Sequence, residues 1–303
     1  WRDQNAFRFL GIPYAEAPVG ERRFAKPVAK APFTSTYNAL NYRYICPQTK
    51  DGFMPLLMSW LENGATQHED CLNLNVYTPS LKGPGVAGLP VIMYIHGGGF
   101  VTYAGSTILF EPGHLVARGG VVVVTINYRL GFLGWLENET AWGRSSVSGN
   151  QAIHDQILAL QWIKKNIAAF GGDPNRVTVM GESAGAVSIR AMLSAPSTWD
   201  LYESVISQSD PANIPFKLPG TAAQEAAYFM QSLGCAVNDL NCARSAPVDQ
   251  VLKAQANASA HALADNKWTT WALVFRPVID GTFIPAEFSK LVTTGAYNTK
   301  ANV

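Results

Sequence analysis

With 303 residues, 48% of them hydrophobic and 15% charged, the chain is long enough to bury roughly three quarters of the surface its unfolded form exposes, so one large core is expected. The 23 basic and 22 acidic side chains leave a net charge of +1 without long like-charge runs, which excludes the footprint of a nucleic-acid binder or of a protein held to an anionic membrane. No apolar stretch reaches the length of a membrane span, residues 121–126 being too short and flanked by polar or turn residues. Trp1-Arg2-Asp3-Gln4 is not a signal peptide, so any export signal is expected to have been removed already.

In chain order, the placement of the four cysteines suggests two pairs, Cys46 with Cys71 and Cys235 with Cys242. Their surroundings lack the Cys and His spacing of a zinc site, and no metal or organic cofactor is expected. The loop closed by Cys46 and Cys71 restricts the unfolded chain by on the order of 3 kcal/mol. The sequons Asn138-Glu139-Thr140 and Asn257-Ala258-Ser259 add to the paired cysteines and point to a secreted, extracellular glycoprotein glycosylated at Asn138 and Asn257.

Short apolar or β-branched runs at 91–95, 121–127, 176–180 and 204–207 read as strands covered on both faces. Residues 82–88, rich in glycine, read as a surface loop before the first of them. Between the second and third lies a helix over 150–169, whose Ile153, Ile157, Leu160, Ile163 and Ile167 recur every three or four residues and form one stripe against the sheet. Gly171-Gly172-Asp173-Pro174 ends it. Helices are also expected over 184–193, 221–233 and 248–263. Strands alternating with helices predict an α/β architecture with a mostly parallel sheet flanked by helices.

Two motifs sit at strand ends. Gly181-Glu182-Ser183-Ala184-Gly185 follows the third strand and opens a helix. The glycines let strand and helix approach closely, which forces Ser183 onto a strained corner and presents its hydroxyl as a nucleophile. His96-Gly97-Gly98-Gly99-Phe100 follows the first strand. Attack on an ester carbonyl builds an oxyanion, and successive glycines can aim N–H groups at it without side-chain obstruction. Gly98, Gly99 and Ala184 are therefore the expected oxyanion hole, each donor supplying about 2.7–4 kcal/mol of transition-state stabilisation.

Further segments carry a resemblance that runs through nearly the whole chain. They are Phe9-Leu10-Gly11-Ile12-Pro13-Tyr14-Ala15, Pro18-Val19-Gly20 with Arg23-Phe24, and Glu69-Asp70-Cys71-Leu72-Asn73-Leu74-Asn75-Val76-Tyr77. Asn127-Tyr128-Arg129 and Phe170-Gly171-Gly172-Asp173-Pro174 complete the set. With the two motifs above, the chain resembles the type-B carboxylesterase and lipase family of α/β hydrolases, which includes fungal lipases, carboxylesterases and cholinesterases. The resemblance implies an α/β-hydrolase fold and a serine esterase acting on carboxylic esters through an acyl-enzyme. It implies the same two disulfides, and structural ion pairs that would fall on Arg23 with Glu69 and on Arg129 with Asp173. It also carries a second class, inactive adhesion or binding modules, which typically lose the nucleophile that Ser183 retains here.

A serine hydroxyl needs a histidine base, and the imidazole needs a carboxylate to hold its tautomer. The resemblance implies a glutamate shortly after the segment matching 277–281 and a histidine much further on, both beyond Val303, and further strands ahead of Trp1. Residues 1–303 are thus expected to form the N-terminal and central part of a single catalytic domain. A second polypeptide from the same precursor is expected to supply the glutamate and histidine. His261, the only histidine after Ser183, falls within a helical pattern beside a sequon and is expected on a helix surface. His96 is expected to prop the glycine loop, and His68, His114 and His154 to be structural. Residues 53–61, an apolar cluster inside the Cys46–Cys71 loop, match a flap over an acyl tunnel in lipases of the family and favour fatty or hydrophobic esters. Trp60 invites comparison with a choline site, but its neighbours depart from the cholinesterase pattern.

Overall fold

The computed structural model describes residues 2–3, 6–49, 66–81, 88–137, 148–265, 274–299 and 301. In chain order the elements are β1 (Arg2–Asp3), β2 (Ala6–Pro13), β3 (Asn73–Thr78), β4 (Leu89–Ile95), α1 (Gly113–Gly119), β5 (Val122–Ile126), α2 (Gly131–Trp135) and α3 (Gln151–Asn166). There follow β6 (Gly172–Glu182), α4 (Ala184–Leu193), β7 (Ser204–Gln208), α5 (Pro219–Ser232), α6 (Leu240–Ser245), α7 (Val248–Asp265) and α8 (Phe288–Thr294). The strands form one sheet in the order β1-β2-β3-β5-β4-β6-β7.

The sheet is mixed. β1 to β3 pair antiparallel with one another and β3 pairs antiparallel with β5, whereas β5, β4, β6 and β7 run parallel. The parallel half needs crossovers, and α3 and α4 supply them between β5, β6 and β7. β5 is buried along its whole length, as expected of a strand covered on both faces, whereas β4 and β6 bury one face, through Val91, Met93, Val177 and Val179, and β7 buries only Val205. The expected stripe of α3 is the buried one, with Ile153, Ile157, Leu160 and Ile163 inside and Ile167 following in a 3-10 turn. Gly171, at φ 82°, then turns the chain into β6. β6 begins at Gly172, earlier than the apolar run, because Leu89 N–H reaches Gly171 O at 2.9 Å and Leu89 pairs with Gly172 across a register shift. Pro174, which has no N–H to give, is tolerated at this strand start.

Polar side chains inside the core tie the layers together. Gln156 Nε2 donates to Ser188 Oγ at 3.0 Å, joining α3 to α4. Asn150 donates to Val278 O and accepts from Val278 N at 2.9 and 2.8 Å, bringing the 277–280 segment to the start of α3. Cys46 is bonded to Cys71 and Cys235 to Cys242, the second bridge fastening the end of α5 to α6. Arg23 forms a two-point pair with Glu69, at 2.7 and 2.5 Å.

The partner of Arg129 differs from the expected one. Its guanidinium holds Asp155, with Nε to Oδ2 at 2.8 Å and Nη2 to Oδ1 at 2.7 Å, while Asp173 accepts from Asn175 N at 2.9 Å. Arg129 follows the carboxyl end of β5 and Asp173 opens β6 at the other end of the sheet. About eight residues of extended strand, roughly 25 Å, lie between those ends.

Candidate active site

Ser183 stands between β6 and α4 at φ 54° and ψ −116°, a left-handed backbone that costs a side-chain-bearing residue about 1–3 kcal/mol. Close packing of the flanking glycines accounts for it. A Cβ on Gly181 would lie 2.5 Å from the Gly185 backbone, and one on Gly185 would lie 2.1 Å from Ile95 O. Strand, corner and helix are thus pressed on each other and on the end of β4. The corner is fixed from its other side by Ser183 N–H donating to Gln208 O at 2.9 Å, at the end of β7, and by Val187 N–H donating to Ser183 O at 3.0 Å.

The turn after β4 lies against this corner. A Cβ on Gly97 would meet Glu182 Oε2 at 2.6 Å and Ser183 Cβ at 3.2 Å. Gly98 and Gly99 both have positive φ, 87° and 61°, and the N–H groups of Val101 and Thr102 close the turn on Gly98 O at 3.0 and 3.2 Å. Among the hydrogen bonds between described residues, none takes up the N–H of Gly98 or Gly99. Ala184, first residue of α4, has no intrahelical acceptor for its own N–H. Ser183, Ala184 and Gly99 line one cavity of about 210 Å³, whose apolar walls include Phe100, Val187 and Phe275. It opens at the carboxyl ends of the parallel strands, where ligands of open α/β sheets bind. Ser183 itself is half-buried.

His96 is buried beneath the glycine turn. Its Nδ1–H donates to Gly97 O at 3.0 Å, its ring stacks on Tyr128 at 4.3 Å, and Tyr128 OH donates to His96 O at 2.7 Å. Burial pulls its pKa down to about 4, so the ring is neutral at neutral pH and serves as a brace. Glu182, beside the nucleophile, has its carboxyl pKa pushed up by burial.

The other histidines lie elsewhere. His68 accepts from Asp70 N at 2.9 Å and packs on Tyr44, His114 is exposed on α1, and His154 packs on Phe283. His261 is exposed on α7, stacked on Tyr228 at 5.5 Å. None of the five lines the cavity at Ser183. Asn257 is exposed on α7. Asn138, Trp60 and the apolar cluster at 53–61 lie outside the described residues.

The structure also adds residues to the site that the sequence reading did not single out. Gly97 lies so close to the nucleophile that a Cβ on it would stand 3.2 Å from Ser183 Cβ, and Arg190, Ser209, Ile214 and Arg276 line the cavity. A signal existed for one of them: Arg190 is a lone cation in the otherwise small or apolar run of α4.

A mixed sheet with a strained serine corner and a glycine turn at its carboxyl end is the α/β-hydrolase fold. The model of the carboxylesterase family matches residues 1–302, and the chain belongs to that family. It is 37% identical over 294 residues to para-nitrobenzyl esterase of Bacillus subtilis (strain 168), covering 97% of this chain and 57% of that protein. It is 35% identical over 309 residues to acetylcholinesterase of Danio rerio, covering 97% of this chain and 46% of that one. The solved structure of a thermophilic pNB esterase superposes with a TM-score of 0.87 at 35% identity, over 99% of this chain and 59% of that one. The chain thus spans about half the length of the relatives it matches.

Proposed function

We propose that the protein is a serine carboxylesterase. Ser183 Oγ attacks the ester carbonyl, the N–H groups of Gly98, Gly99 and Ala184 hold the developing oxyanion, and an acyl-enzyme on Ser183 is then hydrolysed. The observation that carries the reading is the placement of Ser183 on a strained corner against a glycine turn, on the wall of an apolar cavity. Three uncommitted N–H groups in the same corner support it. The apolar lining favours hydrophobic acyl groups, fatty ones included. The general base and its carboxylate come from outside these 303 residues, since none of the five histidines lines the cavity.

A fluorescent organophosphate tests the reading, because it reacts only with an activated serine. Labelling of the native protein at Ser183, lost in Ser183→Ala, is the expected result. An unlabelled protein that binds a partner in place of ester would instead be an inactive binding module. We further propose that the protein is secreted and glycosylated. The exposed side of α7 leaves Asn257 accessible, and both disulfides suit an oxidising compartment. Enzymatic deglycosylation of native material is expected to lower its mass, and an unchanged mass overturns this part.

A further inference from the structure

We propose that Arg190 is a positioning residue that sets which ester substituents the cavity at Ser183 accepts, by holding the 209–214 segment as the cavity's outer wall; the inference rests on the esterase reading above.

Arg190 lies on α4 three residues after Val187, so the two share a side of that helix, and both line the cavity at Ser183. Arg190 is 3% exposed. Its guanidinium spends its contacts on one stretch of chain. Nη1 donates to Ile214 O at 3.0 Å and Ala212 O at 3.4 Å, Nε stands 3.3 Å from Asp210 Oδ2, and the group lies over the Phe216 ring at 5.0 Å.

The far end of that stretch is held elsewhere, by Arg276 Nε donating to Pro215 O at 3.0 Å and Phe216 N–H donating to Glu287 Oε2 at 2.8 Å, but over 209–214 Arg190 is the one side-chain tie among the described residues. The stretch leaves β7 through Ser209, a non-glycine residue at φ 55°, and carries Pro211 and Pro215, neither of which has an N–H to give. Its internal backbone bonds are two short turns, Ala212 N to Asp210 O and Ile214 N to Pro211 O, both 2.8 Å. Ala212 and Asn213 are exposed. Yet Ser209, Pro211, Ile214 and Pro215 all line the cavity facing Ser183 and Val187. The same stretch also begins one residue after Gln208, whose carbonyl holds Ser183 N–H. One side chain, anchored on the nucleophile's own helix, therefore couples the wall to the corner. The guanidinium presents Nη1 to two carbonyls and Nε to a carboxylate at once; a lysine ammonium replaces the charge but offers a single nitrogen.

Without the tie the 209–214 part of the wall is free to move outward, hinged on the held end at Pro215 and Phe216. The cavity then holds short acyl groups less well and admits longer ones.

Two measurements on the intact protein test this. In Arg190→Met, the amides of 209–214 are expected to exchange with deuterium about tenfold faster or more, while those of β6 and α4 keep their protection; a charged hydrogen-bond donor of this kind has effects of that size. Esters of one alcohol running from acetate to decanoate are expected to show the ratio of kcat/KM for long over short acyl groups rising by about tenfold. Arg190→Lys falls between the two proteins in both measurements. Unchanged exchange, an unchanged ratio, or an equal loss of rate for every ester overturns the proposal, because a scaffold role alone lowers all rates together. If the unsubstituted protein cleaves these esters and the ratio does not move, only the role of Arg190 falls. If it cleaves none, the reading of Ser183 falls and the proposal with it.

Discussion

Gly185 has an ordinary helical backbone, so alanine there would by itself favour the helix by about 1 kcal/mol. Its Cβ, however, would stand 2.1 Å from Ile95 O, a backbone atom that cannot swing aside. Gly185→Ala is therefore expected to reverse the sign and destabilise by about 1–3 kcal/mol or more, seen as a lower urea midpoint at unchanged m value. A more stable variant would mean that the glycine does not serve close approach. At the neighbouring corner, Ser183→Ala keeps the left-handed backbone and is expected to lose organophosphate labelling with its stability within about 0.5 kcal/mol of the parent. Ser183→Gly relieves the strain and is expected to be more stable than Ser183→Ala by about 1–2 kcal/mol, measured by thermal unfolding. Both features were legible in the sequence because each is a local steric demand made by adjacent residues. Arg190 was not, since its partners lie 20–24 residues away in an irregular segment with no periodicity to place it.

Helices and parallel strands were equally legible, for the related reason that period and composition record burial on one face or two. α4 occupies the expected residues, and α3, α5 and α7 lie within two residues of their expected starts. The antiparallel half of the sheet was visible only as motifs, because β2 ends at Pro13 and β3 begins at Asn73, so no hairpin turn joins the two strands. The Arg129 pairing shows the same limit: sequence identifies a buried cation, but which carboxylate meets it depends on strand direction. The Arg129–Asp155 pair is nearly inaccessible, with side-chain exposures of 3% and 0%. Asp155→Asn leaves the guanidinium buried without its counter-charge, and a loss of about 3–5 kcal/mol in unfolding free energy is expected. Asp173→Asn, at a half-buried residue at the start of β6 whose one described contact an asparagine oxygen can also accept, is expected to stay within about 0.5 kcal/mol. Equal effects of the two in chemical denaturation would reinstate the sequence-based pairing.

For the whole molecule, acid sensitivity depends on groups that fold in the neutral state. His154, on α3 and packed against Phe283 at 4.7 Å, has its pKa lowered from 6.5 to about 4. Burial is the main cause, and Lys26 and Arg129 act in the same direction against the opposing charge of Asp280. Its Nε2 is enclosed with no hydrogen-bond partner among the described residues, so a proton there has no acceptor. Between these two pKa values the unfolded chain binds the proton and the folded chain does not. The contribution of the neutral ring is thus complete above pH 6.5 and is lost progressively as the pH falls towards 4. His96, depressed to about 4 by burial, acts in the same sense. Buried carboxylates oppose both: the carboxyls of Asp155 and Glu225 have pKa values raised by burial, so they take up protons in the folded state first and favour it as the pH drops. A raw pH profile therefore mixes signs, and a single-site difference separates them. His154→Phe keeps the ring contact with Phe283 and removes the titration. Between pH 7 and pH 5 the variant is expected to lose roughly 2 kcal/mol less unfolding free energy than the parent, measured by urea denaturation at both values. Parallel pH profiles would show that the imidazole takes up its proton equally in the folded and unfolded chains.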